Sequence, residues 1–143
     1  MPYVRIWIHL IFSTKNRGKL ISKALKPKLI NHIRENALQK EIHIDFINCV
    51  SDHCHLLISL GASQSISDVA RLIKGESSNW VNKNKLSKFH FAWQEEYIAV
   101  SVSESQVDRV RNYIKNQEEH HRVKTFREEY ELFLKKYGFE KLG

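Results

Sequence analysis

Two histidines open an apolar run in Asp52-His53-Cys54-His55-Leu56-Leu57-Ile58-Ser59-Leu60. In a strand, residues two apart share a face. His53 and His55 then project side by side, and Cys54 points the other way into packing. Two imidazoles on one rigid face can be two ligands of a divalent metal. The pattern is short, and by itself it also describes surface histidines at a strand end. Further along, Tyr113 and Gln117 lie four apart in a stretch with helical periodicity. Such residues stand one above the other on a helix. Tyr113 offers a hydroxyl nucleophile, and Gln117 offers a neutral carbonyl oxygen for a hard metal. Taken singly, the first reads as a core aromatic and the second as a solvated helix residue. If their helix docks across the histidine face, the metal gains a third protein ligand with a phenol beside it. Open positions remain for water and a phosphate oxygen. Two imidazoles and one amide oxygen suit Mg²⁺ or Mn²⁺ better than a closed zinc site.

The elements that must hold these groups are legible in order. Residues 3–13 alternate with period two, giving one face of Val4, Ile6, Ile8, Leu10 and Phe12 and another of Arg5, Trp7, His9 and Ile11. Arg, Trp and His on that second face can hold phosphate, stack a base and hydrogen-bond. Lys15, Arg17 and Lys19 follow in a basic loop. Residues 23–39 read as a helix, with Ser22 as a candidate N-cap. Residues 42–50 and His53–Leu60 read as an antiparallel pair around Ser51-Asp52. A helix runs from Ser65 or Ser67 to about Asn84. Gly75 interrupts it, which suggests a bend or a close approach. Lys83, Lys85 and Lys88 add a basic rim. A fourth strand covers about 92–102, a helix about 106–121, and a charged helical tail 125–136. The order β-α-β-β-α-β followed by helices is the ferredoxin-like split β-α-β sandwich: an α+β fold whose antiparallel sheet carries helices on one face plus C-terminal helices. Strands one and three are then central neighbours. The Arg5/Trp7/His9 face and the histidine pair share one side of the sheet unless a bulge intervenes.

The length of 143 residues fits a single domain, 1–143. A formal charge of +7 suits a polyanion such as nucleic acid. No apolar run approaches the roughly 20 residues that span a bilayer, so no membrane role is expected. Cys49 and Cys54 make a disulfide framework or zinc finger unexpected. These features lead us to expect a cytoplasmic protein with reduced thiols.

Several stretches together resemble the single-tyrosine HUH transposases of bacterial insertion sequences, a family of IS200-like enzymes that includes the REP-associated tyrosine transposases. The stretches are His9-Leu10-Ile11-Phe12-Ser13-Thr14-Lys15, Asp52-His53-Cys54-His55, Leu72 through Ser78, Trp93 through Tyr97, and Tyr113-Ile114-Lys115-Asn116-Gln117. Cys54 takes the bulky apolar place between the histidines, and a buried cysteine still behaves as a small apolar residue. The resemblance implies an enzyme that cleaves and rejoins single-stranded DNA at element ends through a 5′-phosphotyrosine. Its metal ligands would be His53, His55 and Gln117, and its nucleophile Tyr113. It also implies hairpin substrates and a homodimer in which one subunit's histidines can meet the other's tyrosine helix. His9, His120, His121 or a water on the metal are candidates for the general base.

DNA contacts are expected from Arg5, Trp7, His9, Lys15, Arg17, Lys19, Lys74, Lys83 and Lys85. Cations would make affinity salt-dependent, and Trp7 would stack unpaired bases. There is no P-loop, as suits an exchange of one phosphoester for another. The alternatives are another HUH nuclease of the replication-initiator or relaxase type, or a non-enzymatic single-strand-binding module on the same sheet. The module lacks the aromatic signature of such sheets and leaves the His53/His55–Tyr113/Gln117 set unexplained.

Overall fold

The computed structural model describes residues 2–118 and 125–137. Its elements are β1 (Ile6–Ser13), α1 (Leu25–Gln39), β2 (His43–Val50), β3 (His53–Leu60), α2 (Ile66–Lys83), β4 (Ile98–Val102), α3 (Val107–Lys115) and α4 (Phe126–Tyr137). The strands form one sheet in the order β2-β3-β1-β4, and every pairing is antiparallel. This is the expected split β-α-β sandwich.

Alternation along the strands sends side chains to two layers. On one face Leu10, Phe12, Leu56 and Ile58 meet Leu25, Leu29 and Ile33 of α1 and Val69, Ala70 and Ile73 of α2. On the other, Trp7 and Leu57 pack with Val107 and Ile114 of α3. Ile11, Ile98 and Val100 pack with Tyr130 and Phe133 of α4. Both faces are therefore covered, the second by the C-terminal helices. The β1–β3 register runs unbroken from Ile6 opposite Leu60 to Ser13 opposite His53. No bulge flips that pair, so Trp7, His9, Ile11, Ser13, His53 and His55 share the α3/α4 face.

The helix that carries Tyr113 is clamped to β2. Arg111 donates from Nε and Nη2 to the two carboxylate oxygens of Asp45, at 2.7 and 2.8 Å. This paired guanidinium holds the Asp45 carboxyl below its ordinary range. Asp45 lies at a register shift between Ile44 and Phe46, the irregularity that frees it from the ladder. Asn48 Nδ2 donates to the carbonyls of Ile114 and Lys115 at 2.9 and 3.3 Å, satisfying the end of α3. Ser22 accepts from the Leu25 N–H, and Ser65 from the Asp68 N–H, both at 3.1 Å. These are the start signals that the sequence carries.

Four details differ from expectation. The fourth strand begins at Ile98, not near residue 92, because Trp93 leaves the ladder to pack against Phe12 and Phe91 and to donate to Ser77 Oγ at 2.9 Å. A single bridge from Thr14 to Trp93 is what remains of that stretch. α3 ends at Lys115, before Gln117. Gly75 sits in an unbroken α2, and a Cβ there would meet nothing within 4 Å, so no close approach explains it. Cys49 and Cys54 are not free thiols. They face each other across the β2–β3 ladder, Cα atoms 4.1 Å apart, and are joined as a disulfide on the α1/α2 side. Among the described residues, no helix is long and apolar enough to cross a membrane.

Candidate active site and metal centre

His53 and His55 start β3 beneath the α3/α4 layer, and both are fully buried. Each ring is oriented through Nδ1. His53 Nδ1 lies 2.8 Å from Asp52 Oδ1. His55 Nδ1 lies 2.9 Å from His9 Nε2. With protons on those two Nδ1 atoms, both Nε2 lone pairs turn to the same side of the sheet, as metal-binding imidazoles require.

A carboxylate arrives there from α4. Glu129 is 5% exposed, with Oε1 at 2.7 Å from His55 Nε2 and 3.8 Å from His53 Nε2. Ligand atoms of the three residues all fall within 4.8 Å of one another. Two imidazole nitrogens and one carboxylate oxygen make a donor set that fits a divalent ion, and the buried carboxylate is offset by that charge. The residues fit the metal that the HUH pattern implies.

The sequence points to Gln117 as the third ligand, whereas the carboxylate against the histidines belongs to Glu129. Gln117 is buried in the same layer, and its Nε2 donates to the Tyr113 carbonyl at 3.1 Å. A signal for Glu129 exists: it stands at an i+3 place in the stripe Phe126, Tyr130, Phe133, where an acid is unexpected.

Tyr113 completes the group. Its ring centroid is 5.7 Å from that of His55 and 6.1 Å from that of His9, edge-on to both. Phe133 of α4 closes the far side at 6.2 Å. Tyrosine, histidines and carboxylate all come from one chain. His120 and His121 lie outside the described residues. His9 is a poor general base here. Burial, then the neighbouring His55, drive its pKa down to about 3, and its Nε2 is taken by His55.

Of the residues expected at DNA, two are corrected. Trp7 is 7% exposed beneath α3, with its indole N–H on Glu104, so it presents no face to a base. His9 is buried behind His55. Both sit on the covered face because α3 and α4 hide it. Lys15, Arg17 and Lys19 are exposed beside the end of β1. Arg5 is exposed and paired with Glu104 at 3.2 Å. Lys74 donates to the Glu95 carbonyl at 2.8 Å, and Lys83 and Lys85 stand exposed at the end of α2.

With this geometry in place, the relatives can be compared. The family model for IS200-like transposases matches residues 2–117. The ISDra2 transposase TnpA of Deinococcus radiodurans is 28% identical over 115 residues, covering 76% of this chain and 81% of that protein. A transposase-like crystal structure from Deinococcus radiodurans R1 superposes with a TM-score of 0.64 at 24% identity, over 82% of this chain and 95% of that one. A REP-associated tyrosine transposase bound to a REP hairpin also superposes at 0.64, with 14% identity, over 85% of this chain and 72% of that one. The chain belongs to the IS200-like transposase family and is a tyrosine transposase, an enzyme of DNA recombination. Glu129 and α4 lie beyond the part that the family model matches.

The Nδ1 contacts lead to a first expected result. His9→Ala weakens Mn²⁺ binding by roughly 10–100-fold, the usual effect of losing a group that orients a metal-bound imidazole. Asp52→Ala does the same through His53. Calorimetric titration of the purified protein checks both, and unchanged affinity in both variants would remove the orienting role.

Proposed function

We propose that the protein cleaves and rejoins single-stranded DNA, using Tyr113 as nucleophile and a divalent ion, Mg²⁺ or Mn²⁺, held by His53, His55 and Glu129 with Gln117 alongside. The observation that carries this reading is the Tyr113 ring edge-on at 5.7 Å from the ring of His55, a member of a buried His-His-Glu cluster of the same chain. When bound, the ion draws charge from a non-bridging phosphate oxygen, so that an anionic nucleophile can approach.

The chain's own residues do the rest. His53 and His55 would hold the ion, and Asp52 and His9 fix their rings through Nδ1. Arg111, Asp45 and Asn48 hold α3 against β2, which keeps the Tyr113 ring beside His55. The phenolate oxygen bonds to phosphorus as the P–O3′ bond breaks. The 5′-phosphate stays on Tyr113, and the 3′-oxygen leaves as a hydroxyl, taking from solvent one proton in place of the one the phenol gave up to it. One ester replaces another, so strand joining is the same step reversed. Lys15, Arg17 and Lys19 line the approach with positive charge. The substrate we propose is single-stranded DNA folded into hairpins at element ends. The family resemblance also supports a homodimer.

In a homodimer each chain would still carry its own site, because α3 docks on its own sheet. Mixing His53→Ala protein with Tyr113→Phe protein tests this. A site assembled within one chain leaves the mixture as inactive as either parent. Recovered cleavage would mean that tyrosine and histidines come from different chains.

A further inference from the structure

Beside the metal centre lies a cavity of about 360 Å³. It shares walls with the site. Ser13 and Ile11 line it, and they pair with His53 and His55 across the ladder. Tyr130, the residue after Glu129, lines it from α4. Adjacent strands are roughly 5 Å apart, so a group in the cavity sits one short span from the histidines.

The rim of this cavity is built from two laced loops. Lys15 N–H donates to the Ala92 carbonyl at 2.9 Å, and Gln94 N–H to the Ser13 carbonyl at 2.8 Å. Asn16 N–H donates to Gln94 Oε1 at 3.1 Å. Asn16 and Arg17 are held at φ of 57° and 56°, a left-handed pair of non-glycine residues. Such backbone costs free energy and persists where surrounding contacts enforce it. The outcome is a cavity presenting two carboxamides (Asn16 and Gln94), one carboxylate (Glu96) and two phenol rings (Tyr97 and Tyr130). Arg17 lies over the Tyr130 ring at 5.5 Å.

We infer that this cavity takes one unpaired nucleobase of the DNA strand, next to the phosphate at the histidines, and that it selects the 6-amine of adenine or the 4-amine of cytosine over the carbonyl that thymine carries at the same place. This deepens the DNA-cleaving reading above and rests on it. Phenol rings offer faces on which any base can stack. Carboxamides pair with the adenine edge, and a carboxylate accepts from the cytosine amine. Thymine has no amine and would set its carbonyl oxygen against Glu96. Arg17 adds charge for the flanking phosphate.

The test reads binding without cleavage. Labelled homopolymers of deoxyadenosine, deoxycytidine and thymidine, roughly ten nucleotides long, are titrated into the full chain and followed by fluorescence anisotropy. The adenine and cytosine strands should bind about tenfold more tightly than the thymine strand. Glu96→Ala, at an exposed position, should erase the margin. Gln94→Ala should erase it for adenine. Equal affinities in the wild type, no binding at all, or a margin that survives both substitutions would each overturn the cavity's role. A missing covalent adduct would count against Tyr113 alone, since no cleavage enters this measurement.

Discussion

Tyr113→Phe abolishes the covalent protein–DNA adduct and lowers strand cleavage by a factor on the order of 10⁴ or more, the scale seen when a nucleophile is removed. The substitution deletes one oxygen and leaves the ring. Its edge contacts with His55, His9 and Phe133 persist, and so does the docking of α3 through Arg111 and Asn48. Mn²⁺ affinity and single-strand affinity should stay within a few-fold of wild type. The readout is a band of retarded mobility on denaturing gels after incubation with hairpin DNA and Mn²⁺. A variant that still forms the band would move the nucleophile elsewhere.

His53→Ala produces the second large effect. It removes a direct ligand, so the loss in Mn²⁺ affinity should exceed the roughly 100-fold that marks the loss of an orienting group. Cleavage falls with it. Stability gives a readout independent of activity. An ion that binds the folded state at a hundred times its Kd adds about 2.7 kcal/mol, so Mn²⁺ should raise the wild-type Tm by several degrees. The variant should show little of that rise. Chelation should silence the wild type, and added Mn²⁺ should restore it. If His53→Ala keeps both the Tm rise and the adduct, the metal lies elsewhere.

The fold and the histidine pair were legible because residues 4–12 alternate with period two and residues 53–60 form a short apolar run bounded by turn residues. Alternation in residues 4–12 and the two-residue spacing of His53 and His55 put these groups on one sheet side only if no bulge intervenes, and the unbroken β1–β3 register meets that condition. Tyr113 does lie beside His55, but α3 ends at Lys115, so the four-residue spacing to Gln117 is not a spacing along that helix. Features set by tertiary packing were not readable. Trp7 looks like a surface aromatic on a half-polar face until α3 covers it. Glu129 sits in a charged tail, and only the return of α4 over Ile11 and Ile98 turns it inward. The Cys49–Cys54 pairing depends on register: the two-residue turn at Ser51-Asp52 sets those cysteines opposite one another. Trp93 kept strand-like neighbours in sequence, yet burial against Phe12 outweighed the ladder.

The central claim is that one chain gathers two imidazoles, a carboxylate and a phenol around a single divalent ion. The most direct measurement is anomalous diffraction at the manganese edge from crystals grown with MnCl₂. The account predicts one strong peak at about 2.1 Å from both His53 Nε2 and His55 Nε2, with Glu129 of the same chain in contact and the Tyr113 ring beside it. A peak at other residues, or none between these two imidazoles at saturating Mn²⁺, would contradict it.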